Sequence, residues 1–351
     1  MRIPANLTFF IDDCHVSANI SSGGKNSLFT SDKKTGRDVN DRENLTITLL
    51  KELAKDIRDW CTKPEFLNYD ITECKVVISP SWYISQTSVV SKESPKPIIF
   101  SESLILDSAT ENLANNPDIF SSSKDLLLIE KEISHVSLNG YPVTSLNKQR
   151  ATLCKASVYY CYMNKRFNTL ILDAIKSVNH QASKIVFQSL AKVTSEFTKK
   201  SISDLSFLKN GNIIIVNFCS YVTEVLYLHS ETSLNILSLP IGYKEALHAL
   251  SAHTNSDHSA SESLLDLFMS DKLKPESRDL VLELLHRLGK DWSNAVMQGI
   301  SQIPRTPGPN TKLFIYGIDA GQTEIAKMFT RLLPFYGDQE IPVTLFNQIV
   351  I

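Results

Sequence analysis

The sequence predicts a mixed α/β fold, and three observations carry the prediction. Residues 211–250 hold three short β-rich runs, 213–216 (IIIV), 225–228 (VLYL) and 234–239 (LNILSL), separated by polar segments, the pattern of an antiparallel meander. Elsewhere apolar residues recur at helical spacing, as Leu45, Leu49, Leu53, Ile57 and Trp60 do. The composition is that of an ordinary globular chain, 42% hydrophobic and 21% charged over 351 residues, which is room for two domains or one elaborate one.

Several function classes lose support at once. A formal net charge of −2 gives no electrostatic basis for binding nucleic acid or an anionic membrane surface. No apolar run reaches about 18 residues, so no spanning helix is expected. The first eleven residues lack the long apolar core of a secretory signal. The six cysteines, Cys14, Cys61, Cys74, Cys154, Cys161 and Cys219, form no CxxC pair and are read as buried thiols in a reducing cytoplasm. Glycine is scarce, 12 residues in the chain, and phosphate-binding loops need glycine for close backbone approach.

In chain order, 7–11 and 16–20 read as strands on either side of Asp12-Asp13-Cys14-His15, and 22–25 (SGGK) as a turn. A helix spans 45–60, with Asp41 or Asn44 as its cap. A buried strand covers 74–83 and contains Ser79-Pro80-Ser81; 87–90 and 97–100 are further strands, and 101–112 is a helix broken by Asn115-Asn116-Pro117. Residues 126–138 form a long β run ended by the turn Asn139-Gly140-Tyr141-Pro142. Residues 151–163 are strand-like and 167–179 helical, and 185–197 hold either a strand or a short helix before a helix. The polar patch 251–263 is a solvated loop or a connection between helices. His248, His253 and His258, five apart, do not have the tight spacing of metal ligands. Helices follow at 264–269 and 277–297, a Pro/Gly linker at 303–310, a strand at 313–316, a turn at 317–321, a helix at 323–333 and a final strand-like run at 343–351. No internal repeat of short fixed period is visible.

Taken in order, these stretches resemble the FtsA/PilM branch of the actin-like ATPases. Asp12-Asp13-Cys14-His15-Val16-Ser17 is similar to the first phosphate hairpin, D-x-G-x-x-S. Val76-Val77-Ile78-Ser79 is similar to the V-x-I-S strand that opens the family's inserted subdomain, and 133–143 (ISHVSLNGYPV) to a later segment of it. Residues 186–191 resemble the stretch before the second phosphate loop, and 217–224 (NFCSYVTE) that loop itself. Residues 313–318 are similar to the adenosine-side turn. The resemblance implies a two-lobed actin-like (ribonuclease H-like) α/β fold with an inserted small α/β subdomain. Its expected divisions are 1–70 and 166–210 for the first lobe, 71–165 for the insert and 211–351 for the second lobe.

The same resemblance places a residual nucleotide cleft at Asp12, Ser17, Asn217, Thr223, Glu224 and Gly317. In the family, hairpin glycines admit the phosphates and acids hold Mg²⁺ through water. Here Cys14 takes the glycine place of the first hairpin, Asn217 the acid place of the second, and Cys219 and Tyr221 its glycine places. Expected, therefore, are no catalysis, no metal and no cofactor, with ATP and Mg²⁺ as the alternative. From the residues themselves, Asp12 reads equally as a turn acid, Asn217 and Thr223 as turn hydrogen-bonders, and Glu224 as an exposed strand residue. Cys14 and Cys219 read as thiols, and Trp82-Tyr83 as a partner patch or as core. The implied function is a catalytically degenerate scaffold, cytoplasmic and recruited to the inner membrane face only indirectly. Its partners would be proteins of cell division or type IV pilus assembly, or further copies of itself. A polymerising ATP switch and a sugar-kinase-related enzyme are the alternatives. The short β-like tail, 343–351, is unlike an amphipathic membrane helix.

Overall fold

The computed structural model describes residues 3–13, 15–23, 26–34, 41–115, 124–143, 145–146, 149–178, 184–202, 211–229, 233–301, 311–334 and 342–345. Cys14, the linker 303–310, the tail beyond Leu345, and parts of the turns at 22–25, 115–117 and 229–232 lie outside them.

Strands β1 (Ile3–Ile11), β2 (His15–Ser22) and β3 (Asn26–Lys34) form an antiparallel meander. β4 (Tyr69–Ile78) returns parallel to β1, and β9 (Ile185–Ser189) parallel to β4, giving a five-stranded sheet in the order β3-β2-β1-β4-β9. Between β3 and β4 lies helix α1 (Arg42–Cys61), started by Asp41, whose side chain accepts from the Asn44 N–H at 3.1 Å.

The second sheet repeats this plan. β10 (Asn212–Phe218), β11 (Thr223–His229) and β12 (Ser233–Leu239) are an antiparallel meander. β13 (Thr311–Gly317) and then β14 (Val343–Leu345) add in parallel, in the order β12-β11-β10-β13-β14. Both sheets thus read third-second-first-fourth-fifth by order of appearance. The repeat lies in topology and leaves no period in the sequence.

A third sheet, β5-β8-β6-β7, is interposed between β4 and helix α3 (Lys165–Lys176). It comprises β5 (Tyr83–Ile99), β6 (Leu126–Leu138), β7 (Tyr141–Pro142) and β8 (Arg150–Asn164), with α2 (Glu102–Asn115) on one face. The expected strands at 87–90 and 97–100 are one strand, β5, with a register shift between Glu93 and Ile98. Strand β4, which holds 76–78, pairs in the first sheet, and the third sheet's first strand begins at Tyr83. The β6–β7 turn is a two-residue connection with Asn139 and Gly140 both at positive φ (51° and 87°), which explains the Asn-Gly pair.

Burial on both faces explains the unbroken apolar runs. In β10, Ile213 and Ile215 face the core shared with the first sheet and helix α4 (Leu190–Ser201). Ile214, Val216 and Phe218 face helices α5 (Tyr243–Thr254), α7 (Pro275–Ser301) and α8 (Ala320–Thr330). In β8, Val158 and Tyr160 join the core under α2, while Tyr159, Cys161 and Met163 join the core of the first sheet. The polar patch 251–263 is not a solvated loop: it is the end of α5, a short turn and the start of α6 (His258–Met269), capped by Asp257. Strand β3 is an addition to what the sequence suggested.

Candidate functional site

The β1–β2 and β10–β11 hairpins have the same construction. In the first, Ile11 pairs with Val16, and the turn is closed by the Asp12 N–H donating to the His15 carbonyl at 2.8 Å. In the second, Phe218 pairs with Thr223, and the Cys219 N–H donates to the Val222 carbonyl at 3.1 Å. Asp12 is therefore the counterpart of Cys219. The counterpart of Asn217 is Phe10, two residues before Asp12. Neither strand ends in an acid at that position.

The two turns meet tip to tip. The Ser220 hydroxyl donates to Asp12 Oδ2 at 2.5 Å. Beside this contact the Arg42 guanidinium, from the first turn of α1, lies 4.6 Å over the Tyr221 ring and 3.7 Å from Asp13 Oδ1. Asp12 and Asp13 are both buried. Burial, and then the neighbouring Asp12 charge, push the Asp13 carboxyl up to about 7. The second turn is braced from behind. Tyr243 N–H donates to the Cys219 carbonyl at 3.0 Å and Lys244 N–H to the Ser220 carbonyl at 2.8 Å, so two leading amides of α5 are spent on the hairpin. Gly242 makes this approach possible: a Cβ there would stand 2.6 Å from the Cys219 carbonyl oxygen and 2.7 Å from that of Ser220.

Behind the turns lies a buried polar junction of the second sheet, the third sheet and helix α4. The Tyr83 hydroxyl, from the start of β5, lies 2.9 and 2.8 Å from the two oxygens of Glu224 on β11, and Asn217 Nδ2 donates to Glu224 Oε2 at 3.2 Å. The same Tyr83 oxygen accepts from the Ala191 N–H of α4 at 3.3 Å. Glu224 is fully buried, and that burial raises its carboxyl to about 7 against the pull of the Tyr83 and Asn217 hydrogen bonds. Burial, then the facing Glu224, pushes the Tyr83 phenol far up.

The six residues of the expected cleft fall into distinct places. Asp12 is at the tip contact. Asn217 and Glu224 are cross-strand partners in the junction. Thr223 begins β11 and donates to the Ile241 carbonyl. Ser17 is buried in β2 opposite Phe10. Gly317 ends β13 opposite Phe218 and packs on Thr323, whose Cγ2 would lie 2.7 Å from an added Cβ. Asn217, Thr223 and Glu224 are buried strand residues, contrary to their reading as turn or exposed residues, and Ser220 is buried at the turn. Tyr83 is core too, and Trp82 stacks on Phe167 with centroids 4.1 Å apart, so the pair is no exposed patch. The five described cysteines are free, and Cys14 falls outside the described residues. His248 and His258 come together, with ring centroids 4.7 Å apart. Among the described residues no three His, Cys, Asp or Glu side chains are grouped to hold a metal ion, and no helix is long and apolar enough to cross a membrane. Sequence reasoning missed Tyr83 and Arg42 as members of the site.

No protein-family model and no curated protein matches the sequence. Solved structures do match. A chain of the PilM–PilN type IV pilus biogenesis complex aligns with a TM-score of 0.64 at 13% identity, over 98% of this chain and 93% of that one. The fold is actin-like, of the PilM type. EutJ, an ethanolamine utilization protein of Carboxydothermus hydrogenoformans, aligns with a TM-score of 0.51 at 9% identity, over 100% of this chain and 88% of that one.

Proposed function

We propose that this actin-like chain is a scaffold that works through protein contacts and neither holds nor hydrolyses ATP. The observation that carries the reading is the contact of the hairpin tips, Ser220 on Asp12 with Tyr221 under Arg42. A nucleotide gripped between two such hairpins needs free backbone amides and an open gap. Here side chains fill the gap, the carboxylates on the first turn would repel phosphate, and the Cys219 and Ser220 carbonyls are tied back to α5. The partners fit proteins of a cell-division or pilus assembly, by analogy with the neighbour described as part of a PilM–PilN complex. Attachment to a membrane would then run through the partner, at the cytoplasmic face.

Thermal unfolding with and without millimolar Mg-ATP tests this. A ligand at 100 times its Kd stabilises the native state by about 2.7 kcal/mol, which melting reads directly. The expected result is no shift. A saturable rise in Tm with Mg-ATP, absent with Mg²⁺ alone, overturns the reading in favour of a nucleotide switch.

A further inference from the structure

The third sheet is fastened to the first at a second place, separate from the hairpins. Glu130 and Glu132 lie on β6 and point to the same side, toward the amino-terminal turn of α4. A register shift between Leu128 and Glu130 aims them there. Glu130 Oε2 accepts from the Ser189 N–H at 3.1 Å. Ser189 is the cap of α4, its Oγ accepting from the Lys192 N–H at 3.3 Å and from the Tyr159 hydroxyl at 2.9 Å. Glu132 meets Lys192 Nζ at 2.6 Å. The arrangement is unbalanced in one respect: Glu130 is 7% exposed, and its Oε1 is buried with no hydrogen-bond partner.

A buried carboxylate with an empty oxygen is costly when ionised and tolerable when neutral. The groups around Glu130 do not remove that cost. Lys192, on α4, is committed to Glu132 on β6; Glu132 itself is a like charge beside Glu130, as is Glu224 on β11; Tyr159 and Cys161, on β8, are neutral with their protons pushed up by burial. Burial lifts the Glu130 carboxyl from 4.5 to about 7, against the Ser189 hydrogen bonds and Lys192.

We propose that Glu130 is a proton-operated clasp between the third sheet and helix α4: the sheet stays seated while the carboxyl is neutral, and ionisation loosens it. When the sheet lifts, Glu130 reaches water and its proton leaves to solvent. Docking therefore weakens as pH rises through the range in which the seated carboxyl still holds a proton that the lifted one has released.

Hydrogen exchange at the Ser189 amide of the full chain reads this opening. From 4.5 lifted to about 7 seated, linkage gives about a tenfold fall in the protection factor from pH 6 to pH 8 that belongs to Glu130, after correction for intrinsic exchange. Glu130→Gln keeps the acceptor for Ser189 and cannot ionise, so its fall is expected to be smaller than the wild type's by that factor. Equal pH dependence in the two proteins overturns the proposal. Should Glu130→Gln not fold, the Glu130 carboxyl carbon in the wild-type protein decides by NMR. Titration near neutrality supports the clasp, and titration below about pH 5 with the exposed glutamates refutes it.

Discussion

Tyr83→Phe tests the junction of the second and third sheets with α4 while keeping the aromatic ring in place. One oxygen is removed, and two buried groups feel it. Glu224 loses a donor in contact with both of its oxygens and keeps only Asn217, while the Ala191 N–H at the start of α4 loses its acceptor. A hydrogen bond to a charged group contributes about 1.5–3 kcal/mol, and an orphaned buried donor costs about 1–3 kcal/mol. The Ala191 bond is long, at 3.3 Å, which puts it at the weak end. A loss of about 3 kcal/mol in unfolding free energy is expected at pH 8, measured by urea denaturation. The loss has a sign in pH. The Tyr83 hydrogen bond pulls the Glu224 carboxyl down toward its ordinary range, so its removal pushes that carboxyl further above about 7. At pH 6 Glu224 is largely protonated in both proteins, and only the neutral bonds are lost, about 1–2 kcal/mol. A change under about 0.5 kcal/mol at both pH values, or a larger loss at pH 6 than at pH 8, refutes the account of Tyr83 as the hub of the junction.

Two glycines separate steric from conformational demand. Gly242→Ala drives a Cβ into the carbonyls of Cys219 and Ser220, so it is expected to displace the second hairpin and cost more than Gly140→Ala. Gly140 has open space around it and suffers only from its positive φ, at about 1–2 kcal/mol; equal losses in urea titrations would refute the tight approach at Gly242. Asp41→Ala removes the cap of α1 and is expected to lower stability by about 1 kcal/mol, with Asp41→Asn nearly neutral in the same assay. Asp13, Glu130 and Glu224 all have folded values raised to about 7, from 3.8 for Asp13 and 4.5 for the glutamates, so the native state holds protons that the unfolded chain has released. Their stabilising effect is present below about pH 4–5 and is lost as pH rises to about 7, by at most roughly 3–4 kcal/mol per group. Unfolding free energies from pH 5 to pH 8 that rise with pH would contradict it.

The frame was legible in the sequence because it rests on periodicity. The meander at β10–β12, the α1 helix with its Asp41 cap and the Asn139-Gly140 turn each follow from local rules that packing did not override. What was not legible depends on which strand lies on which. Strand β3 ends in Ser-Asp-Lys-Lys at the sheet edge, where no second face demands apolar residues. The burial of Glu224 does have a local signal: period two puts it on the same side of β11 as Leu226 and Leu228, which face the shared core. Asn217 shares the side of Ile213 and Ile215 in the same way. Tyr83 and Glu130 had no such signal, since their partners Glu224 and Ser189 lie 141 and 59 residues away in the chain.

The doubled topology also explains why the hairpins close on each other. Each sheet has its first hairpin in the same place in the strand order, and the two turns meet where the Ser220 hydroxyl donates to Asp12. A frame of this kind fixes where two loops meet and leaves open what stands between them. With glycines at the tips, exposed amides would line the gap. With Asp12, Ser220 and Tyr221 there, the tips touch through a hydroxyl–carboxylate bond, and the Arg42 guanidinium lies over the Tyr221 ring. The third sheet's polar attachments, at Glu224 and at Glu130, both end on buried carboxyls raised to about 7.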